Sequence, residues 1–133
     1  MGDITRRTLL RDGSLAASAA ALLQADAPKR AEAEDRASSV FHVFAFRWKP
    51  GTLEAQIDRA TQAIRAFQGT IPGLLQTHVG PNISPRGNGY AFGGIMEFTN
   101  KDSLNAYVQH PAHKALLSWL VPLIDAVELD LYA

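Results

Sequence analysis

One short stretch, Tyr107-Val108-Gln109-His110-Pro111-Ala112-His113, gathers a phenol and two imidazoles in a chain that has only four histidines. A neutral imidazole accepts a proton near neutral pH and a phenol donates a hydrogen bond. Side by side on a pocket wall they could bind a phenol or carbonyl compound and move a proton. Pro111 suits the first position of a helix, where its missing N–H costs nothing, so His110 falls at or beside the cap and His113 in the first turn. There the positive end of the helix dipole opposes protonation and favours the neutral ring, the form a general base or a metal ligand requires. The same spacing also suits a capping corner with a buried, hydrogen-bonded histidine.

His42 is the second candidate. It shares a strand face with Phe44, Phe46 and Trp48, an apolar setting that disfavours its charged form and suits either a core histidine or a pocket wall. With His113 opposite, these residues would line a pocket for a small hydrophobic or aromatic ligand, with Tyr107 as hydrogen-bond donor and His113 as base. Asp130 joins the set as a carboxylate able to orient an imidazole. Alternation groups it with Glu128 and Tyr132, away from Val127, Leu129 and Leu131; if those aliphatics face the helices, Asp130 faces a partner subunit. His42, His110 and His113 could offer three nitrogens to a metal, but no clear carboxylate completes the set and residues three apart around a proline-started turn diverge. No metal and no cofactor is expected. The chain has no phosphate-binding glycine loop between a strand and a helix, no serine-nucleophile setting and no paired catalytic carboxylates.

The elements that must position these groups can be read from periodicity. Val40 to Trp48 forms a strand apolar on both faces, ended by Pro50-Gly51. Thr52 caps a helix carrying Leu53, Ile57, Ala60, Ile64 and Phe67, stopped by Gly69 and Pro72-Gly73. Strands follow at Leu74 to Gly80 and Tyr90 to Phe98, with a turn-rich connection between them. In the second of these, Gly94 leaves a gap among Tyr90, Phe92, Met96 and Phe98 that could hold a ligand or mark a bulge. A helix from Asp102 to Gln109, capped by Thr99 or Asn100, breaks at His110-Pro111 and resumes to Leu120. Ala126 to Tyr132 closes the chain as a strand. The order β-α-β-β-α-β is the ferredoxin-like α+β arrangement, with helices on one sheet face. Because the first strand is apolar on both faces, the open face is expected to pack on a second copy, giving a homodimer. His78 falls to solvent or to that interface.

With 133 residues, 47% hydrophobic and 20% charged, one domain is expected. Thirteen basic residues balance thirteen acidic ones, so no net field draws the chain to nucleic acid, and the lack of cysteine removes disulfides and thiolate chemistry. The amino-terminal part differs in kind. Thr5-Arg6-Arg7-Thr8-Leu9-Leu10-Arg11, followed by an alanine-rich run from Gly13 to Leu23, resembles a twin-arginine export signal. That run is too short to span a bilayer, which takes roughly 20 apolar residues, so no stable membrane association is expected after cleavage. Ala-x-Ala sites end at Ala27 and Ala33, and Pro28 disfavours the first. The reading is a signal at 1–33, a linker at 34–39 and a folded domain at 40–133, exported to the periplasm; the alternative is a basic helical tail that stays attached.

Phe41-His42-Val43-Phe44-Ala45-Phe46 before Lys49-Pro50-Gly51, then Ile71-Pro72-Gly73, Val79-Gly80, Tyr107 and His110-Pro111-Ala112-His113, resemble the stress-responsive A/B barrel, or Dabb, family over nearly all of 40–133. The resemblance implies a ferredoxin-like subunit whose sheet pairs with that of a second subunit in a dimeric α+β barrel. It also implies several functions. Some members are stress-associated proteins without assigned chemistry. Others are polyketide cyclases with a tyrosine and a histidine at the positions of Tyr107 and His113, and a first-strand histidine at that of His42, promoting an aldol-type ring closure. A pocket tyrosine of those cyclases is matched here by Ile64. The wider class of dimeric α+β barrels includes monooxygenases, some cofactor-free and some related to haem.

Overall fold

The computed structural model describes residues 38–133; the expected signal and residues 34–37 of the expected linker lie outside them. The elements are β1 (Val40–Trp48), α1 (Glu54–Arg65), β2 (Leu74–Pro81), β3 (Phe92–Phe98), α2 (Lys101–Gln109), α3 (Pro111–Leu120), a short 3-10 turn (Val121–Leu123) and β4 (Ile124–Tyr132). The strands form one antiparallel sheet in the order β2-β3-β1-β4, the ferredoxin-like α+β fold. No helix among the described residues is long and apolar enough to cross a membrane.

The two central strands carry the core. Val40, Phe44, Phe46, Phe92, Met96 and Phe98 project from one sheet face onto Ala60, Ile64 and Phe67 after α1, Leu104 and Tyr107 of α2, and Leu116 and Leu120 of α3, all buried. The other face of the same sheet carries Phe41, Val43, Ile95, Val127, Leu129 and Leu131; the last three are each more than two-fifths exposed, a continuous apolar surface with no cover from the described residues.

Local details correct the sequence reading at three points and choose between its alternatives at a fourth, the α2 cap. The α1 cap is Leu53, whose N–H donates to Gln56 Oε1 (2.9 Å), while the Thr52 hydroxyl donates to the Lys49 carbonyl and only tightens the preceding turn. For α2 the cap is Asn100, accepting from the Ser103 N–H at 2.9 Å. Gly94 marks neither a bulge nor a ligand gap: it lies opposite Phe44, whose ring occupies the space a side chain would need, and the sheet's irregularity sits between Leu74 and Gln76. Finally, β4 starts two residues earlier than expected, at Ile124 opposite Trp48, and pairs Asp130 with His42. Ile124, Ala126, Glu128 and Asp130 therefore share the helix-side face, and Val127, Leu129 and Leu131 lie on the open one. That reverses the expectation that Asp130 faces a partner subunit.

Candidate functional site

The helix break organises the site. His110 ends α2 and begins α3, with an extended backbone (φ −66°, ψ 138°) and its own N–H donating to the Tyr107 carbonyl. Pro111 has no N–H to continue the helical ladder. The Ala112 N–H, which an unbroken helix would give to the Val108 carbonyl, instead donates to His110 Nδ1 at 3.1 Å. The released Val108 carbonyl is 3.1 Å from His113 Nδ1. A carbonyl only accepts, so Nδ1 of His113 carries the proton and Nε2 is left as a bare lone pair. His110 is thus the cap, and it does not line the cavity described below; its expected place among the ligand-contacting residues is not where its ring lies.

His113 packs on Tyr107, ring centroids 4.3 Å apart, and Tyr107 packs on His42 at 5.9 Å. His42 is buried on β1, and its Nδ1 donates to Asp130 Oδ1 at 2.6 Å across the β1–β4 pair. The carboxylate engages Nδ1 of His42 as the Val108 carbonyl engages that of His113, which leaves Nε2 of each ring for another partner. Asp130 contacts His42 but is not among the residues that line the cavity described below.

His42, Phe44, Phe46, Ile64, Tyr107 and His113 face one cavity of about 80 Å³, closed by Leu116, Leu117 and Leu120 of α3, Val121 and Ile124 beyond it, and Ala126 and Glu128 of β4. Five of the seven residues expected to form the site therefore converge. Ile64 makes an aliphatic wall where the cyclase resemblance calls for a phenol. A larger cavity, about 230 Å³, lies at the other end of β4 among Val40, Lys101, Leu104, Asn105, Asp130, Leu131 and Tyr132; no imidazole lines it, and Tyr107, His42 and His113 line the smaller one. Glu128 was not among the expected site residues. Its parity with Asp130 is the signal that would have found it, once Asp130 is paired with His42.

Burial tunes the polar groups. The His113 imidazole is held below its ordinary pKa, first by burial and further by His42, while the bond to Val108 and the Glu128 charge pull the other way. The lowering expected from the helix start is thus carried mainly by desolvation. Burial, with Glu128 adding to it, pushes the Tyr107 phenol well above its ordinary range, so its hydroxyl keeps its proton and can act as a donor. Among the described residues no group of three or more histidine or carboxylate side chains could hold a metal ion. The arrangement offers one neutral base and one hydrogen-bond donor at a mainly apolar wall.

The sequence profile of the Stress Responsive A/B Barrel Domain family matches residues 40–132. Among curated proteins none matches. A dimeric ferredoxin-like protein of unknown function from Thermobifida fusca is 23% identical, with a TM-score of 0.66, over 74% of this chain and 93% of its own. A hydroxynitrile lyase from Passiflora edulis is 18% identical, with a TM-score of 0.68, over 73% of this chain and 94% of its own. A mutant of a cofactor-independent oxygenase from Streptomyces nogalater is 18% identical, with a TM-score of 0.59, over 73% and 94%. At these identities the likeness is one of fold.

Proposed function

The chain belongs to the stress responsive A/B barrel domain family, and from that premise we propose that it acts as an exported homodimer whose subunits each bind a small hydrophobic or aromatic compound in the His113 cavity. The observation that carries this reading is the convergence of Tyr107, His113 and His42 on a mainly apolar wall. The uncovered aliphatic face of the sheet supports the dimer, as does the dimeric Thermobifida relative. Export rests on the Arg6-Arg7 segment; substituting both with lysine should leave the protein in the cytoplasmic fraction, and retention of residues 1–33 on a cytoplasmic wild type would refute it. For the cavity, native mass spectrometry of gently purified protein tests the reading: a co-purifying aromatic compound lost in Tyr107→Phe or His113→Gln is the expected result, and a compound retained in both variants counts against this site.

A second reading makes the same cavity catalytic. Its specific support is the tautomer of His113, whose bare Nε2 could take a proton from a bound hydroxyl or carbon acid while the Tyr107 hydroxyl donates to the oxygen on which negative charge collects. A cyclase-like ring closure or a lyase step would each use this pair; the hydroxynitrile lyase and oxygenase of like fold show that the architecture hosts chemistry. Release of aldehyde from an aromatic cyanohydrin offers a direct assay. Full turnover in His113→Gln would remove the histidine from the mechanism.

A further inference from the structure

The cavity wall carries one carboxylate and no ammonium or guanidinium group. Glu128 lies on the edge strand opposite Phe44, exposed and lining the cavity, which places its carboxylate on the rim. The cations nearby in sequence or fold are engaged elsewhere or lie outside the lining: Arg59 stacks over Trp119 at 4.0 Å, Arg47 stacks on Tyr90 and donates to the Asn88 carbonyl, and Lys114 is exposed and outside the lining. Where both histidines are neutral, Glu128 is the charge a ligand meets at the entrance. The interior is small as well. At about 80 Å³ it is roughly half the cavity that takes benzene in an engineered interior, so a ligand inserts only the edge of an apolar ring or a short branched group and leaves the rest, with its polar end, at the rim.

We infer that Glu128 sets the charge preference of the site: it takes compounds with an apolar, preferably aromatic, end and a cationic or hydrogen-bond-donating end, of the arylalkylammonium class, and turns away carboxylates. This rests on the reading of the cavity as a ligand site. An ammonium at the rim meets an opposite charge and a carboxylate meets a like one, so exchanging them counts the interaction twice. At an exposed, salt-screened position each contact is worth up to about fivefold, and the exchange roughly tenfold or more.

Three probes of one shape separate the possibilities: 2-phenylethylamine, 2-phenylethanol and phenylacetate, titrated into the full chain at about pH 8 and low salt, with affinities read from chemical-shift changes of the protein. The amine is expected to bind about tenfold tighter than the acid or better, with the alcohol between; Glu128→Gln brings amine and acid within about twofold, and Glu128→Lys inverts their order. Equal affinity for amine and acid in the wild type, with the alcohol bound, overturns the role of Glu128 and leaves the cavity reading standing. A preference unchanged in both variants overturns it as well. Failure of all three probes to bind overturns the cavity reading and this inference together.

Discussion

Substituting Gly94 with alanine tests how β3 and β1 shape the cavity, because the position is small for a reason that can be measured. A Cβ there would stand 2.4 Å from Cζ of Phe44 and 2.5 Å from the His78 carbonyl oxygen, distances that real Cβ atoms do not keep. Relief requires the Phe44 ring to move by about an ångström and the β2 backbone to shift with it, and overpacking of this kind costs ~1–3 kcal/mol. Alanine also restricts the unfolded chain and returns ~0.4–1 kcal/mol. The net expectation is a loss of about 1–2 kcal/mol, a fall in Tm of about 5–15 °C for a domain of this size. Urea unfolding at one fixed protein concentration reads it, the concentration being held because any dimer contributes to apparent stability. A double-mutant cycle isolates the ring: in a Phe44→Leu background Gly94→Ala should cost at least ~1 kcal/mol less, the residual being the clash with the His78 carbonyl. Gly94→Ala as stable as the wild type, or the same cost with and without the Phe44 ring, would refute the reasoning. Since Phe44 also lines the cavity, the displaced ring should weaken binding of 2-phenylethanol.

The imidazole of His113 should titrate below the ordinary value of 6.5 by NMR. Its folded pKa is depressed, so the unfolded chain binds the proton more readily; stability is complete above the ordinary value and declines as pH falls through it toward the folded midpoint, a slope that His113→Gln should remove. Asp130→Asn should release the His42 tautomer, visible in the ring nitrogen shifts, while costing less than about 1 kcal/mol, because the Asp130 side chain is 54% exposed. Leu129→Glu, on the open sheet face, should give a monomer in sedimentation at micromolar concentration; an unchanged dimer would place the interface elsewhere.

Much of this was legible in the residues. Val40 to Trp48 reads as a strand because its β-branched and aromatic residues leave no alternative, and the break at His110-Pro111 follows from proline chemistry alone. The face of β4 was not legible. Val127, Leu129 and Leu131 look like core residues, and in a strand with one wet face they would be. Here the sheet is apolar on both sides, as β1 already signals, and alternation alone does not tell which side the chain's own helices cover. The start of β4 at Ile124 and its register against β1 decide it, and both depend on the 3-10 turn at Val121–Leu123 that the helical pattern conceals. Glu128 was overlooked for the same reason: an acidic residue near a chain end reads as solvated until its neighbour is known to meet a buried histidine. The role of Gly94 was equally hidden, since a glycine in a strand announces a small space and not its occupant.

The interrupted helix has a consequence for how such a site can diversify. The proton on His113 Nδ1 is held by the main chain at Val108, whose carbonyl is made available because the Ala112 N–H is taken by the His110 cap. No side chain in the cavity is needed to choose that tautomer. Ile64, Leu116, Leu117 and Ala126 can therefore be exchanged among apolar residues to reshape the ligand space without changing which nitrogen is bare, as long as the ring stays as buried, since burial is what lowers its pKa. An engineer altering specificity has those wall positions to work with, and should leave the corner from Val108 to His113 untouched.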